Sequence, residues 1–166
     1  MNPTAYVVED EPQARELIRA LLTKRHLRIK LVGEAGDVHT AADAIRAAAP
    51  QVLFLDVDLG GPDGVDLLRR IAPVDDLLYR TGDNSHTLVH RRGEARPLVV
   101  SRGIVAFDEA PRDQGFVRIH QRHLVNRKHI RRYIKGEGGE VIMSDGASLP
   151  VSRRQKADPM EALERL

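Results

Sequence analysis

Three carboxylic acids stand where a strand should give way to a loop. Glu9 and Asp10 directly follow the apolar run Tyr6-Val7-Val8, and Asp56 directly follows Val52-Leu53-Phe54-Leu55. If those runs are neighbouring strands of a parallel sheet, their carboxyl ends lie together and the acids converge. Crowded carboxylates call for a hard cation, and one or two direct carboxylates with further oxygens are what Mg²⁺ takes. A second constellation is basic. Between Phe116 and Lys156 stand ten basic side chains (Arg118, Arg122, Arg127, Lys128, Arg131, Arg132, Lys135, Arg153, Arg154, Lys156) against Glu137, Glu140 and Asp145, a local +7 in a chain of net +2. Such an excess suits a polyanionic partner.

The elements that must position these groups change character along the chain. Residues 1–73 carry nine basic and eleven acidic side chains, and residues 74–166 carry seventeen and thirteen. The split into a net −2 and a net +4 half predicts two domains, 1–73 and 74–166. With 42% apolar and 30% charged residues over 166 positions, each half can build a core. The lack of cysteine excludes disulfides, thiolate zinc sites and a cysteine nucleophile. The histidines His86, His90, His120, His123 and His129 match no ligand spacing. The apolar runs are too short to span a bilayer, and Met1 leads into Asn2-Pro3-Thr4 rather than a basic, then apolar, leader. The expectation is a soluble cytoplasmic protein without a membrane partner.

In the first half, Pro12 opens a helix with Leu17, Ile18, Leu21 and Leu22 at helical spacing; Arg28 to Glu34 reads as a strand and Thr40 to Ala49 as a helix stopped by Pro50. Val52 to Leu55 reads as a strand buried on both faces, and Val65 to Ile71 as a third helix after the Gly60-Gly61-Pro62-Asp63-Gly64 loop. The β-α-β-α-β-α order predicts an α/β, doubly wound parallel sheet.

Tyr6 to Pro12 and Leu53 to Leu68, with Asp56-Val57-Asp58, resemble the receiver domain of two-component response regulators over roughly residues 4 to 72. The resemblance implies Asp56 as phospho-acceptor, and a Mg²⁺ site at Glu9, Asp10, Asp56 and the backbone carbonyl of Asp58. It also implies a sensor histidine kinase as partner. A receiver continues through a fourth strand ending in Ser or Thr and a fifth ending in Lys, and neither is legible after Ala72; no lysine occurs between Leu31 and Arg127. Two βα units are expected to be missing, about 25 residues each. The partial sheet then leaves Val52 to Leu55 as an open edge, a template for pairing, so a homodimer through the first half is expected. Without the lysine, stable phosphorylation is expected to be poor.

The second half shows many short strands: Leu77 to Tyr79, His86 to His90, Pro97 to Val100, Phe116 to Ile119, Ile130 to Ile134, Val141 to Met143 and Leu149 to Val151, with Asp145-Gly146 as a hairpin turn and a short helix over Ile104 to Glu109. This predicts a mainly-β domain. Phe116 to Asn126, His129-Ile130, Asp145-Gly146 and Leu149 to Arg154, with Asp76 to Tyr79 at the start, resemble the LytTR DNA-binding domain from about residue 75 to 166. The resemblance implies loops that enter successive major grooves of double-stranded DNA. It makes His86, Gln121 and Arg153 the base readers, and adds His120. Arg, Gln and His all have matching partners on base edges. Arg122, Arg154 and Lys156 would neutralise phosphates. Asn126 reads as structural, holding the turn before Arg127.

The expected function is therefore a DNA-binding, non-enzymatic response regulator whose incomplete receiver acts mainly in dimerisation. The alternative is a phosphohydrolase: Asp56-Val57-Asp58 also resembles the nucleophile motif of haloacid-dehalogenase-type enzymes, although the Ser/Thr, Lys and acidic pair of their later strands are missing.

Overall fold

The computed structural model describes residues 2–24, 28–56, 59, 64–107, 115–136 and 139–152. In chain order the elements are β1 (Thr4–Val8), α1 (Pro12–Lys24), β2 (Lys30–Ala35), α2 (Val38–Ala48), β3 (Val52–Leu55), α3 (Gly64–Ile71), β4 (Leu77–Asp83), β5 (His86–Arg91), β6 (Leu98–Val100), β7 (Phe116–His120), β8 (His123–Asn126), β9 (Ile130–Ile134), β10 (Glu140–Met143) and β11 (Ser148–Pro150). They form two compact units. One is residues 1–73 together with 96–102, and the other is 74–95 together with 103–166.

In the first unit β1 lies between β2 and β3, parallel to both. Its residues Ala5, Val7 and Val8 are wholly buried, as are Leu53 and Leu67, so the apolar runs became strands and a helix face because they share one core. Helix α2 begins earlier than its apolar spacing suggests, because the Asp37 carboxylate accepts from the His39 and Thr40 N–H groups at 2.8 and 2.9 Å and caps it. It ends at Ala49, whose left-handed φ of 43° precedes Pro50.

The open edge expected at β3 is not open. Strand β6 pairs with it in parallel, Val52 opposite Val99 and Leu53 opposite Val100. The Val99 and Ser101 N–H groups donate to Gln51 O and Leu53 O at 3.1 and 3.0 Å, and the Leu55 N–H donates to Ser101 Oγ at 3.0 Å. Two expectations are corrected by this. Pro97 to Val100 belongs to the α/β unit, not to the β domain, and the unit does possess a fourth parallel strand followed by a serine. The physical reason is the β3 edge itself, which is apolar on both faces and carries nothing to blunt pairing. The argument for a homodimer through that edge falls with it.

In the second unit β4 pairs antiparallel with β5 on one side and β8 on the other, and β8 pairs with β7. Strands β9, β10 and β11 make a separate antiparallel sheet with β10 central. Leu78, Tyr79, Ile119 and Val125 from the first sheet and Val141, Met143, Leu149 and Val151 around the second bury one another in a single core. Arg80 is also buried, its guanidinium carbon 5.0 and 4.7 Å from the centroids of the Phe107 and Phe116 rings. Strand β8 had no separate sequence signal. The expected helix after Gly103 is a 3-10 turn, Ile104–Phe107.

Candidate metal centre and nucleic-acid interface

The ladder between β1 and β3 brings the acids together. Val8 lies opposite Leu55, and the Asp56 N–H donates to Val8 O at 2.9 Å, so Glu9, Asp10 and Asp56 leave adjacent strand ends side by side. One carboxylate oxygen from each lies within 4.8 Å of the others. Burial pushes the Glu9 carboxyl above its ordinary range, and the charges of Asp56 and Asp10 push the same way against a lowering hydrogen bond from the Glu11 N–H. An all-oxygen set with excess negative charge fits a hard divalent cation. Asp58 lies outside the described residues. Sequence reasoning missed a neighbour of this trio: Arg102, just past β6, places Nη2 2.6 Å from Asp56 Oδ1 and donates from Nε to Leu55 O at 3.2 Å.

The second constellation collects on turns at one end of the β4/β8/β7 sheet. Thr81 lies opposite His123 and the Gly82 N–H donates to Arg122 O at 2.8 Å, so the β4–β5 turn and the β7–β8 turn are neighbours. His86 opens β5 across from Asp83, with its Nδ1 3.2 Å from Ser85 Oγ. Gln121 and Arg122 form the β7–β8 turn and are exposed. The Arg122 N–H donates to His120 Nδ1 at 3.2 Å, which leaves the proton of the neutral ring on Nε2. Ser152 also belongs to this end, because its N–H donates to Ile119 O at 2.7 Å, one residue before His120. Of the expected DNA contacts, His86, His120, Gln121 and Arg122 are thus brought together, while Arg153, Arg154 and Lys156 lie outside the described residues.

Not every cation of the +7 stretch faces outward. Arg118 donates from Nε to His120 O at 2.7 Å and from Nη2 to Gln121 O, holding the turn from beneath. Lys128 is exposed but paired with Asp75 at 2.7 Å. Arg122, Arg131 and Arg132 are exposed. Asn126 is fully buried, as expected of a structural residue.

His123 lies behind the turn, its Nδ1 3.3 Å from Thr81 Oγ1. Burial, aided by the nearby His120 and Arg122, lowers its pKa to about 4. An unfolded chain takes up this proton near pH 6.5 and the folded one does not until about pH 4. The contribution is therefore complete above about pH 6.5 and is lost as pH falls toward 4, by at most about 1.4 kcal/mol per pH unit. The melting temperature of a His123→Gln variant is expected to fall less steeply over that window than that of the parent chain. Parallel curves would contradict this.

An acid trio at the ends of parallel strands, joined to a β unit with polar and basic turns, defines a two-part regulator of the response-regulator class. The chain belongs to the LytTR response regulators: it matches the LytTr DNA-binding domain family over residues 69–164 and the response regulator receiver domain family over residues 5–87. It is 24% identical to the sensory transduction protein LytT of Bacillus subtilis over an alignment of 225 residues, covering 89% of this chain and 93% of LytT. That alignment is longer than this chain, so LytT holds segments with no counterpart here. A protein-glutamate methylesterase/protein-glutamine glutaminase of Rhizobium etli is 32% identical over 105 residues, 61% of this chain, and the alignment covers only 28% of that protein's length. In fold, the chain resembles the LytTr DNA-binding domain of a Bacillus cereus response regulator, with a TM-score of 0.50, 21% identity, and coverage of 55% of this chain and 84% of that one.

Proposed function

We propose that the turn cluster of the second unit reads duplex DNA, with His86, His120, Gln121 and Arg153 at base edges and Arg122, Arg154 and Lys156 on phosphates. The observation that carries this is the juxtaposition of the β4–β5 and β7–β8 turns, with the chain arriving at Ser152 beside them. Arg153 is the next residue in the sequence after Ser152. Arg118 fixes the carbonyls of the β7–β8 turn, so the backbone that carries Gln121 and Arg122 is already ordered before binding. Replacing Arg153 with Ala is expected to cost about 1–3 kcal/mol on the preferred site and to relax one base position, whereas Lys156→Ala weakens all sequences alike and lowers the salt dependence. Binding isotherms on the preferred and a scrambled duplex test this. Indifference of both affinity and preference to Arg153→Ala would remove it from the readers.

The first unit acts as the input. Asp56 is the phospho-acceptor, served by a histidine kinase, and Glu9, Asp10 and Asp56 would hold Mg²⁺, whose chemistry is to neutralise charge on the transferring phosphoryl oxygens. An Asp56 oxygen attacks phosphorus while the donor's oxygen leaves with the bonding electrons. The chain acts as a cytoplasmic regulator rather than an enzyme. Among the described residues no helix is long and apolar enough to cross a membrane. No comparison supports the phosphohydrolase alternative at Asp56 and Asp58, and turnover of a small phosphate ester would be needed to revive it. A homodimer now rests on α1, where Leu17 and Leu21 are 60% and 41% exposed on one helix face. Sedimentation at micromolar concentration, with Leu17→Lys as the comparison, decides whether two copies act together.

A further inference from the structure

We propose that Arg102 is the cation that receives the phosphoryl group on Asp56, in place of the lysine the chain lacks. The proposal rests on the reading of Asp56 as phospho-acceptor and goes beyond it. No lysine occurs between Leu31 and Arg127, so a phosphoryl group there must be met by another cation or by none. Arg102 Nη2 is 2.6 Å from Asp56 Oδ1, while the Nε donation to Leu55 O at 3.2 Å fixes the plane of the guanidinium beside the carboxylate. Arg15 is spoken for elsewhere, donating from Nη1 to the Glu9 carbonyl and lying 3.9 Å from Glu34.

The pair is placed for chemistry more than for cohesion. Arg102 and Asp56 are 33% and 30% exposed, so a small phosphoryl donor can approach, and a pair this open contributes little stability on its own. Phosphorylation, which turns the carboxylate into a mixed anhydride, changes the balance. Phosphorus bonds to an Asp56 oxygen, the donor leaves with its own oxygen and the bonding electrons, and three phosphoryl oxygens with nearly two negative charges stand one bond beyond a carboxylate already in contact with the arginine. A guanidinium presents planar paired donors to such oxygens and keeps its proton throughout. Arg102 is held at this position by β6, through Val99, Ser101 and their ladder to Gln51 and Leu53. The strand that closes the β3 edge therefore also carries the charge that the acid pocket needs.

The full chain is treated with acetyl phosphate and Mg²⁺, and the mass increment is followed by intact mass measurement in the parent, Asp56→Asn, Arg102→Gln and Arg102→Lys. The parent is expected to form an adduct that Asp56→Asn lacks. Arg102→Gln is expected to shorten its lifetime by about tenfold, the worth of one charge-assisted hydrogen bond, and Arg102→Lys to retain most of it. If melting shows that Arg102→Gln does not fold, Arg102→His replaces it: relative to the parent, its adduct should last longer at about pH 5.5, with the imidazole charged, than at about pH 8. Equal lifetimes in the parent and the neutral variant, or a longer one in the variant, would overturn the proposal and leave Asp56 as phospho-acceptor. No adduct in the parent, or one that survives Asp56→Asn, would overturn the phospho-acceptor reading and this proposal with it.

Discussion

Replacing Asn126 with alanine is expected to destabilise the DNA-binding unit by about 3 kcal/mol, the sum of several buried hydrogen bonds left unmade. Asn126 ends β8 with no exposed surface. Its Nδ2 donates to Val74 O and Leu77 O, both at 2.9 Å, and its Oδ1 accepts from the Lys128 N–H at 3.1 Å. One side chain thus ties the entry of β4 to the exit of β8 and starts the 3-10 turn Arg127–His129. Alanine leaves two carbonyls and one N–H without their partner in a region where Leu77 is 1% exposed. Asn126→Asp keeps the acceptor but loses both donors, and should recover little. Denaturant titration of the full chain, following the transition of this unit, measures the effect. A loss below about 1 kcal/mol would show that water replaces these bonds at little cost.

A fragment ending at Pro73 is expected not to fold as a monomer, although it contains every element of the first unit that is contiguous in sequence. It lacks β6, whose Leu98 and Val100 are 2% and 0% exposed in the intact chain. Burying two such side chains is worth about 3–6 kcal/mol together. A small domain has roughly 5–15 kcal/mol to lose, and the hydrogen bonds at Gln51, Leu53 and Leu55 would go as well. The exposed edge would then unfold or pair with itself. Circular dichroism melting and sedimentation of residues 1–73 beside the full chain provide the test. A monomer that melts cooperatively would mean that β6 is dispensable.

The α/β unit was legible up to α3 because buried parallel strands are continuous apolar runs and the helices between them are periodic. The pattern could not say which sheet a three-residue strand would join. Pro97-Leu98-Val99-Val100 reads the same as an edge of the β domain or as a fourth parallel strand. The clue lay at Val52 to Leu55, whose unprotected edge announced a need for cover without naming the cover. Arg102 was invisible for the same reason, since its meaning comes from the pairing of β6 with β3 and not from its neighbours in sequence. Strand β8 was missed because His123-Leu124-Val125-Asn126 is four residues behind a basic turn, and its pairing with β4 and β7 is what makes it a strand. In the sequence Arg118 is only one more cation of the +7 stretch. Only the turn it closes, through the carbonyls of His120 and Gln121, shows it to be a brace.

The joined turns of the second unit are expected to read sequence in duplex DNA. Selection of binding sites from random duplexes with the full chain, run in parallel with Gln121→Ala and Arg122→Ala, tests it most directly. The parent should enrich a defined site, Gln121→Ala should lose discrimination at one position of that site, and Arg122→Ala should enrich the same site with weaker overall binding. A parent chain that enriches no sequence, or a Gln121→Ala variant that selects the parent's site unchanged, would contradict the account.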